Sequence, residues 1–457
     1  MYIQTSEIYA KLPSFIGHNA MHHKTIITVS SIASHSQGPK IRELPLPQIP
    51  QRADSGFYLL PPVTELDPLS AIDALYVHIP FCTSKCHYCD FFSLAGHLEQ
   101  ADAFLNAIAG ELELQVVHFG RPTPETIFIG GGTPTLLPPH ALARLLEIIN
   151  NSINTQRLVE FTVEANPNTF DAARAKVLRD GGVNRMSFGA QSFSAAELAV
   201  LQRDHQPENV PVAVDIARGV GIENINLDLI FGIPGQTLMQ WDRNLAWALA
   251  LNPTHLSCYG LTYEPNTPMT ARMKRGEFTP VDDELQIAML MHTRARLAEA
   301  GLARYEISNY ARPGHACRHN IHYWHAHNHL AVGPSAAGYH SGFRWKNVPS
   351  LTRYLDSLNT NPATLPITEM EHLAGWSRWG ELAILQLRLQ EGMVLQDFQC
   401  RTGVNPLRIL AQVVNRYADL GLLAIANGAL AVTEAGVAVS DTIFADVLEA
   451  FNRHDTA

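Results

Sequence analysis

The chain has 457 residues, of which 46% are hydrophobic and 17% charged, a composition that indicates a folded, core-rich protein of about two to three domains and excludes wholesale disorder. The 33 Lys and Arg residues against 43 Asp and Glu give a net charge of −10, and without a long basic run the sequence gives no indication of nucleic-acid binding. No apolar stretch reaches the roughly 18 residues of a membrane-spanning helix. Six cysteines are too few for a disulfide scaffold. Three of them cluster in one short loop, which indicates metal or redox chemistry in a reducing compartment, here taken as the cytoplasm.

Residues 1–70 differ from the rest of the chain. They have no convincing periodicity and include a Pro-rich stretch from Pro45 to Pro62. We predict a disordered leader, with true translation from Met21 as one explanation. A targeting peptide is the alternative: acidic residues are scarce in this region, which favours it, but Arg is nearly absent, which does not.

From Ala74 onward, short β-branched or aromatic runs alternate with amphipathic helical runs. The predicted strands are Ala74–Ile79, Glu125–Gly130, Val159–Ala165, Arg185–Ala190, Ile225–Phe231 and His255–Thr262. The predicted helices include Ala103–Phe119, His140–Ile149, Asp171–Arg179, Val210–Gly219 and Leu238–Ala250. Six repeats of strand then helix predict an α/β core over residues 71–303, with a parallel sheet and helices outside it. Such sheets carry their working residues at the carboxyl ends of the strands.

A long helix, Asp282–Glu299, precedes an irregular segment rich in His and aromatic residues, 304–350. Residues 351–457 are predicted to be a small, mainly helical domain of the winged-helix type, because Asn427-Gly428 marks a hairpin after the helices. Since no basic recognition helix is visible, we interpret this domain as a packing module rather than a DNA reader.

Three cysteines, Cys82, Cys86 and Cys89, lie four and three positions apart in a loop after the first strand. Thiolates at this spacing are suited to wrap one iron–sulfur cluster. A zinc site completed by His78 or His87 is the first alternative, and three unligated core cysteines are the second. The other cysteines are isolated, and we interpret them as small buried hydrophobic residues: Cys258, Cys317 and Cys400.

The three-cysteine loop resembles that of the radical S-adenosylmethionine (radical SAM) superfamily. From Leu75 onward, the chain resembles the branch that contains oxygen-independent coproporphyrinogen III oxidase and the HemW heme chaperones. The resemblance implies a partial, TIM-like (β/α)6 barrel and a HemN-type C-terminal domain. It also implies one 4Fe–4S cluster on the three cysteines and S-adenosylmethionine bound at the open iron.

Polar residues at the strand ends are the candidates for holding S-adenosylmethionine. On the residues alone, a Gly-rich turn admits close backbone approach, and Asp228, inside an apolar strand, requires a partner. Glu164 would pair with a cation or be a solvated strand-end charge. The resemblance implies that the methionine end meets Gly131, Gly132 and Thr133, its carboxylate Arg203, the ribose Gln191 and Asp228, and adenine Thr262, with Glu164, Tyr76 and Tyr88 lining the site.

Two features favour the chaperones over the oxidase. The oxidase loop has a fourth cysteine where this chain has Phe91, and Cys317 to Trp324 contains the His-Asn-x-x-Tyr-Trp pattern associated with heme-binding members of the family. His319 is therefore predicted to ligate heme iron, with a structural histidine as the alternative. We interpret the histidines around it as incidental members of a polar loop: His315, His325, His327, His329 and His340.

The preferred hypothesis is thus a cytoplasmic heme chaperone that binds a 4Fe–4S cluster, S-adenosylmethionine and heme. Its expected partners are a heme-acceptor protein, a reductant such as flavodoxin or ferredoxin, and a second copy in a homodimer. The coproporphyrinogen oxidase and a radical enzyme with an unrelated substrate stay open as alternatives.

Overall fold

The structure is a computed structural model that describes residues 50–53, 55–61, 71–360 and 364–454. Most of the predicted leader, including the start at Met21, lies outside the described residues. Within the described part of that leader, Phe57 is buried and the Tyr58 amide donates to the Ile367 carbonyl at 2.8 Å. These residues therefore pack on the folded chain.

The larger of two compact units, Pro47–Leu373 with Arg388–Gln390, is built around six parallel strands in chain order. They are β1 (Ala74–Ile79), β2 (Thr126–Gly131), β3 (Glu160–Ala165), β4 (Arg185–Gln191), β5 (Asn224–Phe231) and β6 (His255–Gly260). The register aligns Ala74 with Thr126 and Thr126 with Glu160, so the first three strands begin level with one another, and Arg185 of β4 pairs with Thr162 of β3. This confirms the predicted parallel sheet.

Helices connect these strands and cover the sheet. They are α1 (Ala101–Phe119), α2 (Pro139–Ser152), α3 (Ala172–Asp180), α4 (Ala195–Leu201), α5 (Asn209–Gly219), α6 (Leu238–Ala250), α7 (Pro268–Lys274) and α8 (Asp283–Glu299). Local sequence sets their starts: Pro139 opens α2, Asp171 caps α3, and Thr237 forms a capping box with Gln240 at α6. Single 3-10 turns lie at Leu98–Gln100, Pro134–Leu136, Thr155–Arg157, Pro167–Thr169 and Gly436–Val439.

Short strands extend the sheet at both edges. They are β7 (Ala303–Arg304), β8 (Asn309–Ala311), β9 (His329–Val332), β10 (Ala337–His340), β11 (Phe343–Asn347) and β12 (Ile367–His372). The order is β12-β11-β10-β9-β1-β2-β3-β4-β5-β6-β8-β7, with β9 parallel to β1. The interpretation of His329 and His340 as members of a polar loop is wrong, because both lie buried in strands of this sheet.

Two more helices complete the larger unit, α9 (Arg318–Trp324) and α10 (Leu351–Thr360). Tyr354 of α10 donates a hydrogen bond to the buried Glu111 of α1. We expected residues from 351 onward in the C-terminal domain and mainly helical. Instead, α10 packs on α1, and β12 is a strand of the large sheet.

The smaller unit comprises Ala374–Leu387 and Glu391–Ala457. Its elements are α11 (Gly375–Leu387), β13 (Met393–Val394), α12 (Leu395–Thr402), α13 (Pro406–Ile409), α14 (Ala411–Asp419), β14 (Leu423–Ala426), β15 (Ala429–Val432) and α15 (Ser440–Asn452). The predicted hairpin forms at Asn427, whose φ is 51°. Phe398 and Phe451 are fully buried in its core. In neither unit do the described helices include one long and apolar enough to cross a bilayer.

Candidate functional site

The three cysteines lie in the loop that follows the carboxyl end of β1. Cys82, Cys86 and Cys89 are all free and half-buried. Residues Phe81–Cys82 pair in parallel with Leu94–Ala95 and close the base of the loop. Burial raises the pKa of Cys89 to about 12 and that of Cys82 above its ordinary value. Burial thus favours the protonated thiols of Cys82 and Cys89, and a bound metal centre would have to displace those protons.

Asp204 links this loop by hydrogen bonds to Asn166, which follows β3. The sequence did not predict this contact. The Thr83 hydroxyl donates to its carboxylate, and Asn166 Nδ2 donates to Oδ1 at 2.7 Å. Burial opposes the charge, but these hydrogen bonds lower the pKa of Asp204 below its ordinary value. Because Thr83 and Asp204 lie 121 positions apart in the chain, sequence spacing carried no signal of the contact.

The glycine turn after β2 lies directly against the thiol loop. A Cβ atom on Gly132 would come within 2.6 Å of the Phe81 carbonyl oxygen and 3.1 Å of Cys82 Sγ. Gly131 has a φ of 104°, which an L-residue rarely adopts. Thr133 Oγ1 donates to Cys82 Sγ at 3.7 Å. The turn therefore needs glycine to bring backbone and thiol together, as the sequence analysis expected of a close approach to a ligand.

Arg203 brings a positive charge to the thiol loop. Its Nη1 donates to Cys86 Sγ at 3.5 Å and its Nη2 to the Gly189 carbonyl at 2.8 Å, while its buried Nε has no hydrogen-bond partner. Burial works against this charge, but Tyr88 and Cys86 raise the pKa of the guanidinium. A buried guanidinium with an unpartnered N–H is suited to accept an anionic ligand.

Carboxylates from two strands face the same region. Glu164 accepts the Gly131 amide at 3.1 Å, and burial, with the charge of Asp228, raises its pKa to about 7. Asp228 accepts from Ser187 Oγ at 3.1 Å and from Asn226 Nδ2 at 2.9 Å. Two carboxylates that repel each other in a recess favour a cationic or hydroxyl-bearing ligand.

The other residues predicted to line the S-adenosylmethionine site differ in how close they lie to the thiol loop. Gln191 ends β4 with a φ of 61°, an uncommon conformation for glutamine, beside Gly189. Tyr88 is close enough to Arg203, Cys86 and Asp228 for their charges to act on it. By contrast, Thr262 is exposed beyond β6. Tyr76 lies within β1, where its hydroxyl donates to His78 Nδ1 at 3.1 Å.

The two histidines proposed for a zinc site contact other groups, through both ring nitrogens of His78 and through Nδ1 of His87. His78 Nε2 donates to the Phe92 carbonyl at 2.8 Å while Nδ1 accepts from Tyr76. His87 Nδ1 faces Arg272 Nη1 at 3.3 Å. Among the described residues, the three thiols do not form a group with all ligand atoms within 4.8 Å of one another, whereas ligands of one tetrahedral zinc lie about 3.3–3.8 Å apart. This geometry favours a larger centre than a single ion.

His319 lies at the opposite, amino end of the strands. Its Nδ1 is 2.9 Å from the hydroxyl of Thr126, the first residue of β2, and its Nε2 is 2.7 Å from the Tyr323 hydroxyl. Burial holds the pKa of His319 well below its ordinary value. At about 3.3 Å per residue, Thr126 is about 17 Å from Gly131 along β2. In this conformation both ring nitrogens are engaged, so the structure does not present His319 as an open ligand.

Glu160 anchors the helix that carries His319. Its buried carboxylate accepts the Arg318 amide at 2.9 Å, the His319 amide at 3.1 Å and Cys317 Sγ at 3.4 Å. Trp324, at the end of the same helix, is covered by the Arg388 guanidinium at 4.5 Å. The amino end of the sheet is thus filled by α9 rather than open.

Comparisons with known proteins show which family the chain resembles. The Radical SAM superfamily model matches residues 76–248, and the HemN C-terminal domain model matches residues 373–439. Heme chaperone HemW of Bacillus subtilis is 34% identical over 370 residues, which are 81% of this chain and 97% of that protein. Heme chaperone HemW of Escherichia coli is 39% identical over 280 residues, covering 60% of this chain and 71% of that one.

A solved structure shows the fold. Coproporphyrinogen III oxidase (HemN) from Escherichia coli superposes with a TM-score of 0.72 over 84% of this chain and 91% of its own, at 21% sequence identity. The fold prediction, a radical SAM α/β core with a helical C-terminal region, is confirmed.

Proposed function

We propose, because this chain belongs to the HemW family of radical SAM proteins, that it is a heme chaperone that binds heme and transfers it to an acceptor protein. The observation that carries the proposal is the match to a heme chaperone over 97% of that protein's length. Phe91, exposed in the loop where the oxidase has a fourth cysteine, supports the chaperone over the oxidase.

The thiol loop fits a 4Fe–4S cluster. Three free, half-buried thiols, a glycine turn that leaves no room for a Cβ, and a guanidinium on Cys86 Sγ support this assignment. Cys82, Cys86 and Cys89 would hold the cluster, whose chemistry when bound is the transfer of single electrons. Arg203 would stabilise the thiolates and, with Asp204, hold the loop in place. Because the thiols must stay reduced, we place this function in the cytoplasm.

The recess beside the loop fits S-adenosylmethionine. Its ammonium or sulfonium cation would meet Glu164, its carboxylate Arg203, and its ribose diol Asp228, whose partners already orient the carboxylate. The backbone at Gly131 and Gly132 and the side chains of Thr133, Gln191 and Tyr88 would complete the walls. Asn166 Oδ1, buried without a partner beside this recess, offers a further acceptor that the sequence analysis did not single out.

We propose that His319 ligates heme only after α9 leaves its place at the amino end of the strands. Both ring nitrogens are hydrogen-bonded where the helix now lies, so an iron ligand requires at least the Tyr323 bond to break. Apparent heme affinity would then be reduced by the small population of the open form. Tyr323, Trp324 and Arg318 would turn toward the porphyrin with the helix. A reductant such as flavodoxin or ferredoxin, and a homodimer, complete the proposal.

One experiment separates the chaperone from the oxidase. After anaerobic reconstitution of the cluster, heme retention and heme transfer to an apo-acceptor are measured beside protoporphyrinogen formation from coproporphyrinogen. We expect retention and transfer without turnover. Protoporphyrinogen formed over many turnovers would contradict the proposal.

Two variants test the ligand. His319→Ala should weaken heme binding while cluster absorbance is unchanged. Tyr323→Phe keeps the aromatic ring but frees Nε2, so heme should bind a few-fold more tightly. If heme affinity is unchanged in His319→Ala, or is lower in Tyr323→Phe, then His319 is not a heme ligand that becomes available when α9 moves.

A further inference from the structure

A second group of metal-ligand side chains lies at the amino end of the strands, away from the thiol loop. Among the described residues, Asp73, His322 and His327 form a group whose ligand atoms all lie within 4.8 Å of one another. Asp73 immediately precedes β1, His322 lies on α9, and His327 lies in the turn before β9. Elements distant in sequence therefore converge here, outside every site assigned above.

The spacing of the ligand atoms suits one small ion. His322 Nδ1 is 2.9 Å from His327 Nδ1, and His327 Nδ1 is 3.8 Å from Asp73 Oδ2. Two imidazole nitrogens and one carboxylate oxygen bound to zinc at about 2.0–2.2 Å lie about 3.3–3.6 Å from one another in a tetrahedron. Small rotations of these side chains would reach that spacing.

Glu125 supplies the outer partner that metal-bound histidines usually have. Its Oε2 lies 3.6 Å from His322 Nε2, a buried atom that has no hydrogen-bond partner, so a small shift would bring the two into hydrogen-bond contact. A proton on Nε2 facing this carboxylate leaves the Nδ1 lone pair directed at His327 and the ion. Arg157 fixes both acids, with Nη2 at 3.1 Å from Asp73 Oδ1 and 2.5 Å from Glu125 Oε1.

An ion can enter from solvent. The His327 side chain is 39% exposed, while His322 is buried behind it. Around the group, Asp73, Glu125 and Glu160 bring three negative charges against the two positive charges of Arg157 and Arg318. A cation therefore improves the charge balance of the group and would tie α9 to the start of β1.

We propose that Asp73, His322 and His327 bind one divalent transition-metal ion of the zinc class, with a fourth position open to water. Three protein ligands with an open position distinguish it from a closed structural zinc site. The site does not depend on the cluster, but an ion bound there would hold α9 in place and so oppose the movement of α9 that we propose for heme ligation.

Zinc alone is the probe. Full-length, untagged protein with its cluster loaded is equilibrated with zinc, and zinc and iron per chain are measured together. X-ray absorption at the zinc edge then identifies the ligand atoms. We expect one zinc per chain, with nitrogen and oxygen ligands and iron content unchanged. Sulfur ligands would place the zinc on the thiol loop and overturn the proposal, as would the absence of stoichiometric zinc.

Variants of the accessible ligands sharpen the test. His327→Ala should weaken zinc binding by more than the about 10–100-fold lost with an outer partner, and Glu125→Gln should fall within that range. Asp73→Asn keeps its size and removes its charge, so it should also weaken binding. His292→Ala removes a half-buried histidine of α8 that pairs with Asp242 of α6, and it should leave zinc binding unchanged. Equal zinc affinity in His327→Ala and His292→Ala would overturn the proposal.

Discussion

The polar groups around the thiol loop and those around His319 differ in how completely they are partnered. Beside the thiol loop, at the carboxyl end of the strands, Glu164 has a pKa raised to about 7, Arg203 Nε lacks a partner, and the three cysteines form no disulfide. At the amino end, the carboxylate of Glu160 accepts two backbone amides and one thiol, and His319 uses both ring nitrogens.

The groups beside the thiol loop are thus arranged to bind a ligand, whereas those around His319 are arranged to stabilise the fold. A buried charge without an opposite charge or a hydrogen-bond partner lowers the stability of the ligand-free protein. A complementary ligand offsets that loss when it binds. A fully hydrogen-bonded network has no such gain to offer a ligand until it opens. The residues beside the thiol loop are therefore ready to bind a ligand, whereas α9 must move before His319 can bind heme.

The largest expected effect is at the thiol loop. Cys86→Ala removes one of three cluster ligands, and we expect anaerobically reconstituted protein to lose nearly all of its iron and sulfide while its circular dichroism stays unchanged. Cys400, which the sequence analysis interpreted as buried, is exposed in the smaller unit, so Cys400→Ala is the matched control and should keep full iron. Full iron in Cys86→Ala would show that the loop does not hold the cluster.

At the amino end of the strands, removal of a buried side chain should lower the stability of the fold rather than the iron content. Glu160→Ala leaves two amides of α9 without their acceptor, and we expect the free energy of unfolding to fall by about 3 kcal/mol. Denaturant unfolding of the cluster-free chain measures it, with the exposed Glu147→Ala as a control expected to change stability by less than about 0.5 kcal/mol. Iron loading should be unaffected. If Glu160→Ala lost iron while its free energy of unfolding stayed unchanged, the proposed difference between the two regions would be wrong.

Arg203→Gln tests the anion side of the recess. A charge-assisted hydrogen bond contributes about 1.5–3 kcal/mol, so S-adenosylmethionine should bind about 10–150-fold more weakly. Equilibrium dialysis of cluster-loaded protein measures the affinity, and exposed Arg275→Gln serves as the control. Unchanged affinity in Arg203→Gln would exclude the guanidinium as the carboxylate partner.

The smallest effect concerns pH. With a pKa of about 7, Glu164 is mostly neutral at pH 6 and mostly charged at pH 8 in the empty protein. A cationic ligand binds the charged form, so S-adenosylmethionine affinity should rise by up to about tenfold over that interval. Glu164→Gln should flatten the profile. A slope that persists in Glu164→Gln would assign the titration to another group.

Much of the fold was predictable because its periodicity is local. The bounds of β1 and α6 agree with the predictions to the residue, and the other barrel strands agree within a few residues. The short strands β9 to β11 escaped prediction, because four or five residues give too little sequence to distinguish a strand from a loop. Likewise, α10 has an ordinary helical sequence, and only its contact with α1 shows which unit it joins.

The sequence indicated candidate site residues where their type and spacing are uncommon outside such sites. Three clustered cysteines and a triple glycine point to their chemistry without a structure. Asp204, Asn166 and Glu125 have ordinary surroundings in the sequence, and their roles depend on contacts between distant strands and loops. The burial of His319 was also hidden, because its partner Thr126 lies 193 positions away.

The most direct test of the account is the electron paramagnetic resonance spectrum of anaerobically reconstituted, dithionite-reduced protein before and after addition of S-adenosylmethionine. We predict the signal of a reduced 4Fe–4S cluster that changes when the ligand is added, and that changes much less in Arg203→Gln. A protein that carries stoichiometric zinc on its thiols and gives no such signal would contradict it.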